Sequence, residues 1–372
     1  MKCVTVSNFF PAHQGGLEIV VGELMSRLAA AGVTIDWFAS SPAPMANPSL
    51  PGLRHHGVRA WNGIEDRFGL PMPFWHLKGI LALTRAIRRS DLVFINDCLY
   101  FSSFIAWLLA RACGKKIVVL QHIDEIPFKS TFLRIVMKAA YGVAGRIVLG
   151  GSDRVVFCSH KVSAYFTRRF KWLKNTTIIQ NGVDTSLFCP DERTSLAPRP
   201  RILFAGRFVE RKGLDLLRQL ARNFPGCDWI FAGWGVMNPG RWQLKNVHVK
   251  GRLDRQAMAA LYRDCDLLLL PSVGEGFPLV VQEAISCGLP VLVSPETASG
   301  DPGAINFLMV ANLTLPAFEQ AVRAFLQRRN VELDPVVRRR RHDFAVSCWS
   351  WDVCVQRYLS LFSVILPGGV VR

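Results

Sequence analysis

Two acids, Glu275 and Glu283, and two cations, Arg207 and Lys212, stand where an alternating α/β chain would hold a ligand. The apolar run Leu267–Leu270 reads as a buried parallel strand. Pro271-Ser272-Val273-Gly274-Glu275-Gly276-Phe277-Pro278 follows, and then a helical pattern for which Pro278 suits the first turn. That helix is expected to end near Cys287-Gly288, with Pro290 beyond it. Glu275 thus falls in a loop at the carboxyl end of a strand, the edge at which open α/β sheets bind ligands. Glu283 falls in the next helix, close enough to face the same cleft. Two carboxylates there, with backbone N–H groups between them, can hold hydroxyls and oxyanions together. Residue types alone leave one loop acid and one solvated helix acid as an equal reading.

The cations occupy a second strand-to-helix junction. Arg201–Gly206 is strand-like, a helix is expected from about Leu214, and Arg207, Glu210, Arg211, Lys212 and Gly213 lie between. A helix N-terminus behind an arginine and a lysine makes an anion site, because arginine can clamp a phosphate through two N–H groups and lysine adds a point charge. Surface loop charge fits these residues equally well. Gly15-Gly16 precedes a helix expected over 17–31 and allows a close backbone approach to an anion. It is not the G-x-G-x-x-G of dinucleotide enzymes, and a plain tight turn fits it too. His122 ends the strand 116–121, and a lone histidine there also reads as a loop residue satisfied by backbone. Asp264-Cys265-Asp266 spells D-x-D, but at a helix–strand junction, so no metal site is expected there; no other cluster has metal-site spacing.

Together these stretches resemble the family 4 (group 1) retaining glycosyltransferases of GT-B fold. The resemblance rests on Glu275-Gly276-Phe277-Pro278 followed by Glu283-Ala284-Ile285-Ser286-Cys287-Gly288-Leu289-Pro290-Val291, similar to the family's E-x7-E pair. It rests also on Gly206-Arg207 with Lys212-Gly213, and on Asn181-Gly182-Val183-Asp184 with Phe188 and Pro190, which resembles the passage between domains. It implies an α/β architecture of two Rossmann-like, doubly wound parallel-sheet domains facing a cleft. Residues 1–190 would form the acceptor side, joined by a crossover helix 350–372, and residues 191–349 the donor side. The implied donor is a nucleotide sugar, with Arg207 and Lys212 on its diphosphate, Glu283 on the ribose, and Glu275 with the N–H groups of Gly276 and Phe277 on the sugar hydroxyls. Backbone at Arg252 and Leu253 would meet the base. From the first domain, Gly15 and Gly16 would face the diphosphate and His122 the sugar, with Asp124 and Glu125 as candidate acceptor contacts. No cofactor and no metal are implied. The acceptor would be a glycan or lipid-linked, as in bacterial surface-polysaccharide or glycolipid assembly. The chain departs from the family at Gly32-Val33, where a Gly-His pair is common, and over residues 295–312.

The elements that must position these groups fit the same picture. The chain has 372 residues, half of them apolar, which suggests two domains with sizeable cores. Strand and helix patterns alternate almost throughout, although residues 40–74 give no firm assignment. The ten cysteines are scattered, without C-x-x-C, and read as reduced thiols. Met1–Ser7 enters strand-like sequence directly, and the apolar stretches near 101–110 and 116–120 are too short to span a bilayer. The expected setting is the cytoplasm, at or near the inner face of the membrane. Residues 1–190 carry +11 of the formal +17. A basic amphipathic helix over 75–89, preceded by Phe68, Leu70, Met72, Phe74 and Trp75, could lie on an anionic surface or simply cover a sheet, and 129–146 repeats that choice. An epimerase or phosphorylase of the same architecture is the neighbouring reading. A basic nucleic-acid-binding protein is a further alternative, but no nucleic-acid fold motif accompanies the charge, so nucleic acid is not an expected partner.

Overall fold

In the computed structural model the residues described are 1–11, 16–41, 50–61, 63, 73–124, 131–191 and 196–367. The chain forms two units, Met1–Asn181 with Cys354–Arg372, and Gly182–Val353.

The first unit is built on a seven-stranded sheet. Its strands are β1 (Lys2–Phe9), β2 (Thr34–Ser40), β3 (Leu53–Val58), β6 (Leu92–Asn96), β7 (Lys116–Gln121), β8 (Arg154–Phe157) and β9 (Thr176–Ile178), while β4 (Ala60–Trp61) and β5 (Phe74–Trp75) make a separate antiparallel ribbon. The order is β3-β2-β1-β6-β7-β8-β9, with every neighbouring pair parallel. β6 is buried along its whole length, as a strand with helices on both faces must be. Helices Gly16–Ala30, Leu77–Arg88, Phe101–Ala112, Thr131–Ala144, His160–Arg169 and Trp351–Ile365 supply the crossovers and cover. Helix Phe101–Ala112 had no clear signal, because apolar residues occupy more than one of its faces.

The second unit carries β10 (Arg201–Ala205), β11 (Asp228–Ala232), β12 (Val247–Gly251), β13 (Leu267–Leu270), β14 (Val291–Val293) and β15 (Leu308–Val310), in the order β12-β11-β10-β13-β14-β15. All five pairs are parallel. This is the Rossmann strand order, whose ligand site lies where the order reverses, between β10 and β13. The corresponding reversal in the first unit lies between β1 and β6.

The division falls at 181/182 and 353/354, whereas the sequence reading placed it at 190/191 and 349/350. Phe188 is buried in the second unit's core, and Val183 bridges to Ser350, so the passage 182–190 packs with the second unit. Residues 295–312 form a short helix Pro295–Ala298, a 3-10 segment Pro302–Phe307 and β15. Pro278 is the N-cap of helix Leu279–Ser286, one residue outside the expected first turn.

Candidate active site

β10 and β13, the two strands at the second unit's reversal, each end in a loop that carries charge. After β10, Gly206 adopts φ +146°, and a 3-10 turn Glu210–Lys212 leads to Gly213 at φ +73°. A Cβ on Gly213 would come within 2.5 Å of the Pro271 carbonyl oxygen, so glycine lets the two loops close on each other. Val273 N–H donates to Arg211 O at 2.9 Å across the same junction. The result buries Lys212 to 7% exposure. Its Nζ lies 2.7 Å from Glu275 Oε1, and Arg211 Nη1 lies 3.1 Å from the same oxygen. Burial pushes the Lys212 ammonium down from its ordinary value; Glu275 opposes this, while Arg211 and Arg207 add to it. Arg207 itself is exposed.

The loop after β13 is fixed from beneath. Gly274 N–H donates to Glu296 Oε1 at 2.9 Å, and Ser294 Oγ donates to Ser272 O at 2.8 Å. Gly300 lies so close that a Cβ there would stand 2.2 Å from Gly276 O. Phe277 is buried against the Trp349 ring, centroids 5.5 Å apart. The N–H groups of Gly276 and Phe277 donate to no group among the described residues. Glu283, on helix Leu279–Ser286, accepts from Tyr262 Oη at 2.9 Å. Burial pushes its carboxyl up, while the Tyr262 hydroxyl and the Arg255 charge pull it down. At the ends of β11 and β12, the Arg252 guanidinium lies 4.5 Å over the Trp234 ring, both exposed. Leu253 packs against the unit's core.

Of the expected second-unit residues, the structure thus brings Lys212 and Glu275 into contact, with Arg207 in the same charged field. Glu283 is joined instead to Tyr262 and Arg255. Arg211, which the sequence reading left without a role, shares the Glu275 oxygen. The D-x-D acids serve separate structural partners: Asp264 pairs with Arg201, and the fully buried Asp266 pairs with Arg329 at 2.7 Å.

In the first unit, His122 follows β7 at the carboxyl edge and is buried. Its N–H donates to Asp97 Oδ1 at 2.9 Å. Asp97 follows β6 beside the reversal and holds φ +59°, a left-handed backbone that few side-chain-bearing residues adopt. Asp97 Oδ2 and His122 Nε2 are both enclosed and without a hydrogen-bond partner among the described residues. Burial pushes Asp97 up to about 7 and His122 down to about 4. Asp97 is a residue the sequence did not single out; only its backbone angle and its neighbour across the sheet mark it. Asp124 pairs with Lys161 at 3.1 Å. Gly16 begins helix Gly16–Ala30 and is exposed. Gly15 and Glu125 lie outside the described residues.

Residues 14–187 match the family described as Glycosyltransferase Family 4, and residues 199–328 the one described as Glycosyl transferases group 1. The chain is 28% identical over 325 residues to glycogen synthase of Mycobacterium tuberculosis, covering 79% of this chain and 78% of that protein. It is 24% identical over 411 residues to D-inositol 3-phosphate glycosyltransferase of Geodermatophilus obscurus, covering 94% and 84%. Among solved structures it resembles sucrose-phosphate synthase from Thermosynechococcus elongatus, with TM-score 0.78, 19% identity and 99% and 100% coverage. It also resembles Anabaena HepE in complex with UDP, with TM-score 0.74, 15% identity and 98% and 100% coverage. These structures share the GT-B fold of two Rossmann-like domains.

Proposed function

Because the chain belongs to the group 1, family 4 glycosyltransferases, we propose that it moves a sugar from a nucleotide-sugar donor to a glycan or lipid-linked acceptor, with retention at the anomeric carbon. The observation that carries this reading is the enclosed Lys212–Glu275 contact of 2.7 Å at the strand-order reversal of the second sheet. An ammonium held there by one carboxylate suits a diphosphate, and that carboxylate suits sugar hydroxyls. The complex of the HepE neighbour with UDP supports a nucleoside diphosphate as the donor's leaving group.

In this reading Lys212 and Arg207 meet the diphosphate, Glu275 and the N–H groups of Gly276 and Phe277 take the sugar hydroxyls, and Glu283 takes the ribose. Arg252 and Leu253 border the base. As the bond from the anomeric carbon to the diphosphate oxygen breaks, its electron pair passes to the leaving group. Cations fixed in advance there stabilise that growing charge more than they stabilise bound donor. The acceptor oxygen bonds to the anomeric carbon on the face the diphosphate leaves, and its proton passes to a departing phosphate oxygen. The step then needs neither a protein base nor a metal. His122, Gly15, Gly16 and Asp97 are the first unit's candidates for hydroxyl and diphosphate contacts. The setting is cytoplasmic, at the membrane surface where surface polysaccharide or glycolipid is assembled.

Lys212→Ala and Glu275→Ala should each lower transfer by about 10²-fold or more, the scale for a lost oxyanion or positioning group. A screen of UDP-, GDP- and ADP-sugars by thermal shift identifies the donor for the assay. Near-normal turnover in either variant, with melting unchanged, would remove the assignment.

A further inference from the structure

Helices Leu77–Arg88 and Phe101–Ala112 each feed directly into the amino end of a strand of the first sheet, β6 and β7. They therefore run in the same direction, and they pack against each other. Phe74, just ahead of the first helix, and Phe101, which opens the second, have ring centroids 5.0 Å apart, so the two N-terminal ends are adjacent. Each helix leaves one stripe in solvent. On the first it reads Leu77, Leu81, Arg85, Arg88, and on the second Phe104, Leu108, Arg111. Leu77 is 69% exposed, and Leu81 and Leu108 are 48% exposed each. Trp61, 59% exposed, extends the apolar end through its contact with Phe74.

Two helices thus repeat one arrangement side by side, with large apolar side chains toward the carboxyl edge of the sheet and arginines behind them. Neither helix contains an Asp or a Glu. The inner faces bury Leu83, Ile87, Ala106 and Ala110, so the core does not need the outer leucines and Phe104. Exposed apolar side chains alongside cations that pair with no acid among the described residues mark an interaction surface for something both apolar and anionic. Leu77, Leu81 and Leu108, which make up most of the apolar part, offer no ring face on which a base can stack, so the surface as a whole does not suit nucleic acid. A bilayer takes both halves: the apolar end enters the headgroup boundary, and the arginines stay among lipid phosphates.

We infer that the paired outer faces of helices Leu77–Arg88 and Phe101–Ala112 form a docking surface for an anionic lipid bilayer. The inference deepens the membrane part of the reading above. It rests on that reading for the acceptor it would serve, and not for donor chemistry.

Sedimentation of the full chain with phosphatidylcholine vesicles, with and without phosphatidylglycerol, tests it. The wild type should pellet only with the anionic vesicles and be released by salt. Arg85→Ala with Arg88→Ala should lower binding by roughly fivefold for each cation removed. Arg339→Ala with Arg340→Ala removes equal charge from exposed positions in the second unit and should leave binding unchanged. Leu81→Ser with Leu108→Ser should weaken binding at low salt without lowering the melting temperature. Nucleotide-diphosphate binding, read by thermal shift with UDP and ADP, should persist in all variants, which separates this surface from the donor site. No pelleting at low salt, equal loss from the two arginine pairs, or leucine variants that change only self-association would each overturn the proposal.

Discussion

Replacing Asp97 with Asn should make the protein more stable near neutral pH and expose a pH dependence that the wild type conceals. Asp97 is 3% exposed, and burial raises its carboxyl from the ordinary 3.8 to about 7. A group raised in this way contributes stability that is fully present below pH 3.8 and is lost as pH rises toward 7. The displacement of about three pH units, at 1.36 kcal/mol each, sets a ceiling of roughly 4 kcal/mol. His122 works the other way: burial lowers it from 6.5 to about 4, so its contribution is present above 6.5 and lost as pH falls toward 4. Between about 4 and 6.5 the two slopes oppose each other, because the folded pair keeps one proton on the acid while the unfolded pair keeps it on the base. Asn at 97 can still accept from the His122 N–H but cannot ionise. The variant should therefore gain up to about 4 kcal/mol above pH 7 and nothing near pH 4, and its stability should climb by about 3 kcal/mol between pH 4 and 6.5 as His122 alone titrates. Urea unfolding followed by tryptophan fluorescence across that range reads both effects. Parallel pH profiles for wild type and variant would refute the reasoning, since the gain must vary with pH if a buried charge causes it.

Glu283→Gln keeps the acceptor for the Tyr262 hydroxyl and removes the charge that, in the proposed reading, meets the ribose; on that proposal donor KM should rise about tenfold with kcat nearly unchanged, and initial-rate kinetics showing the reverse would displace the ribose role. Gly213→Ala forces a Cβ to within 2.5 Å of Pro271 O at φ +73°, so it should destabilise by about 2 kcal/mol and also displace Lys212; a variant with unchanged melting and full activity would contradict the close approach. The losses expected from Lys212→Ala and Glu275→Ala and the vesicle measurements above complete the set.

The charged groups at the second unit's strand-order reversal were legible because their signals are local. Arg207 and Lys212 are bracketed by glycines at a strand-to-helix junction, and Glu275 follows four consecutive leucines, Leu267–Leu270, that read as a strand. Such signals survive without knowledge of the partner strand. Asp97 did not, because Asn96-Asp97-Cys98 reads as an ordinary loop; its importance lies in a backbone angle and in His122, brought alongside by the pairing of β6 with β7. Residues 295–312 were illegible for a related reason. Glu296, Gly300 and Asp301 are chosen by what they touch, namely Gly274 N–H, the Gly276 carbonyl and the Trp349 indole N–H. The Lys212–Glu275 contact was foreseeable only as two residues near one ligand, not as a pair that holds itself together at 2.7 Å.

Helix Trp351–Ile365 places Tyr358 and Phe362 on Phe94, with ring centroids 5.7 and 6.1 Å apart, in the middle of the first sheet. β6 is translated long before that helix, and the whole second unit is translated between them. On the ribosome, then, the first unit leaves Phe94 uncovered while its neighbour is being made, although domains generally fold in order of synthesis. Maturation of this enzyme should run out of sequence, with the earlier-born unit sealing its interior after the later-born one.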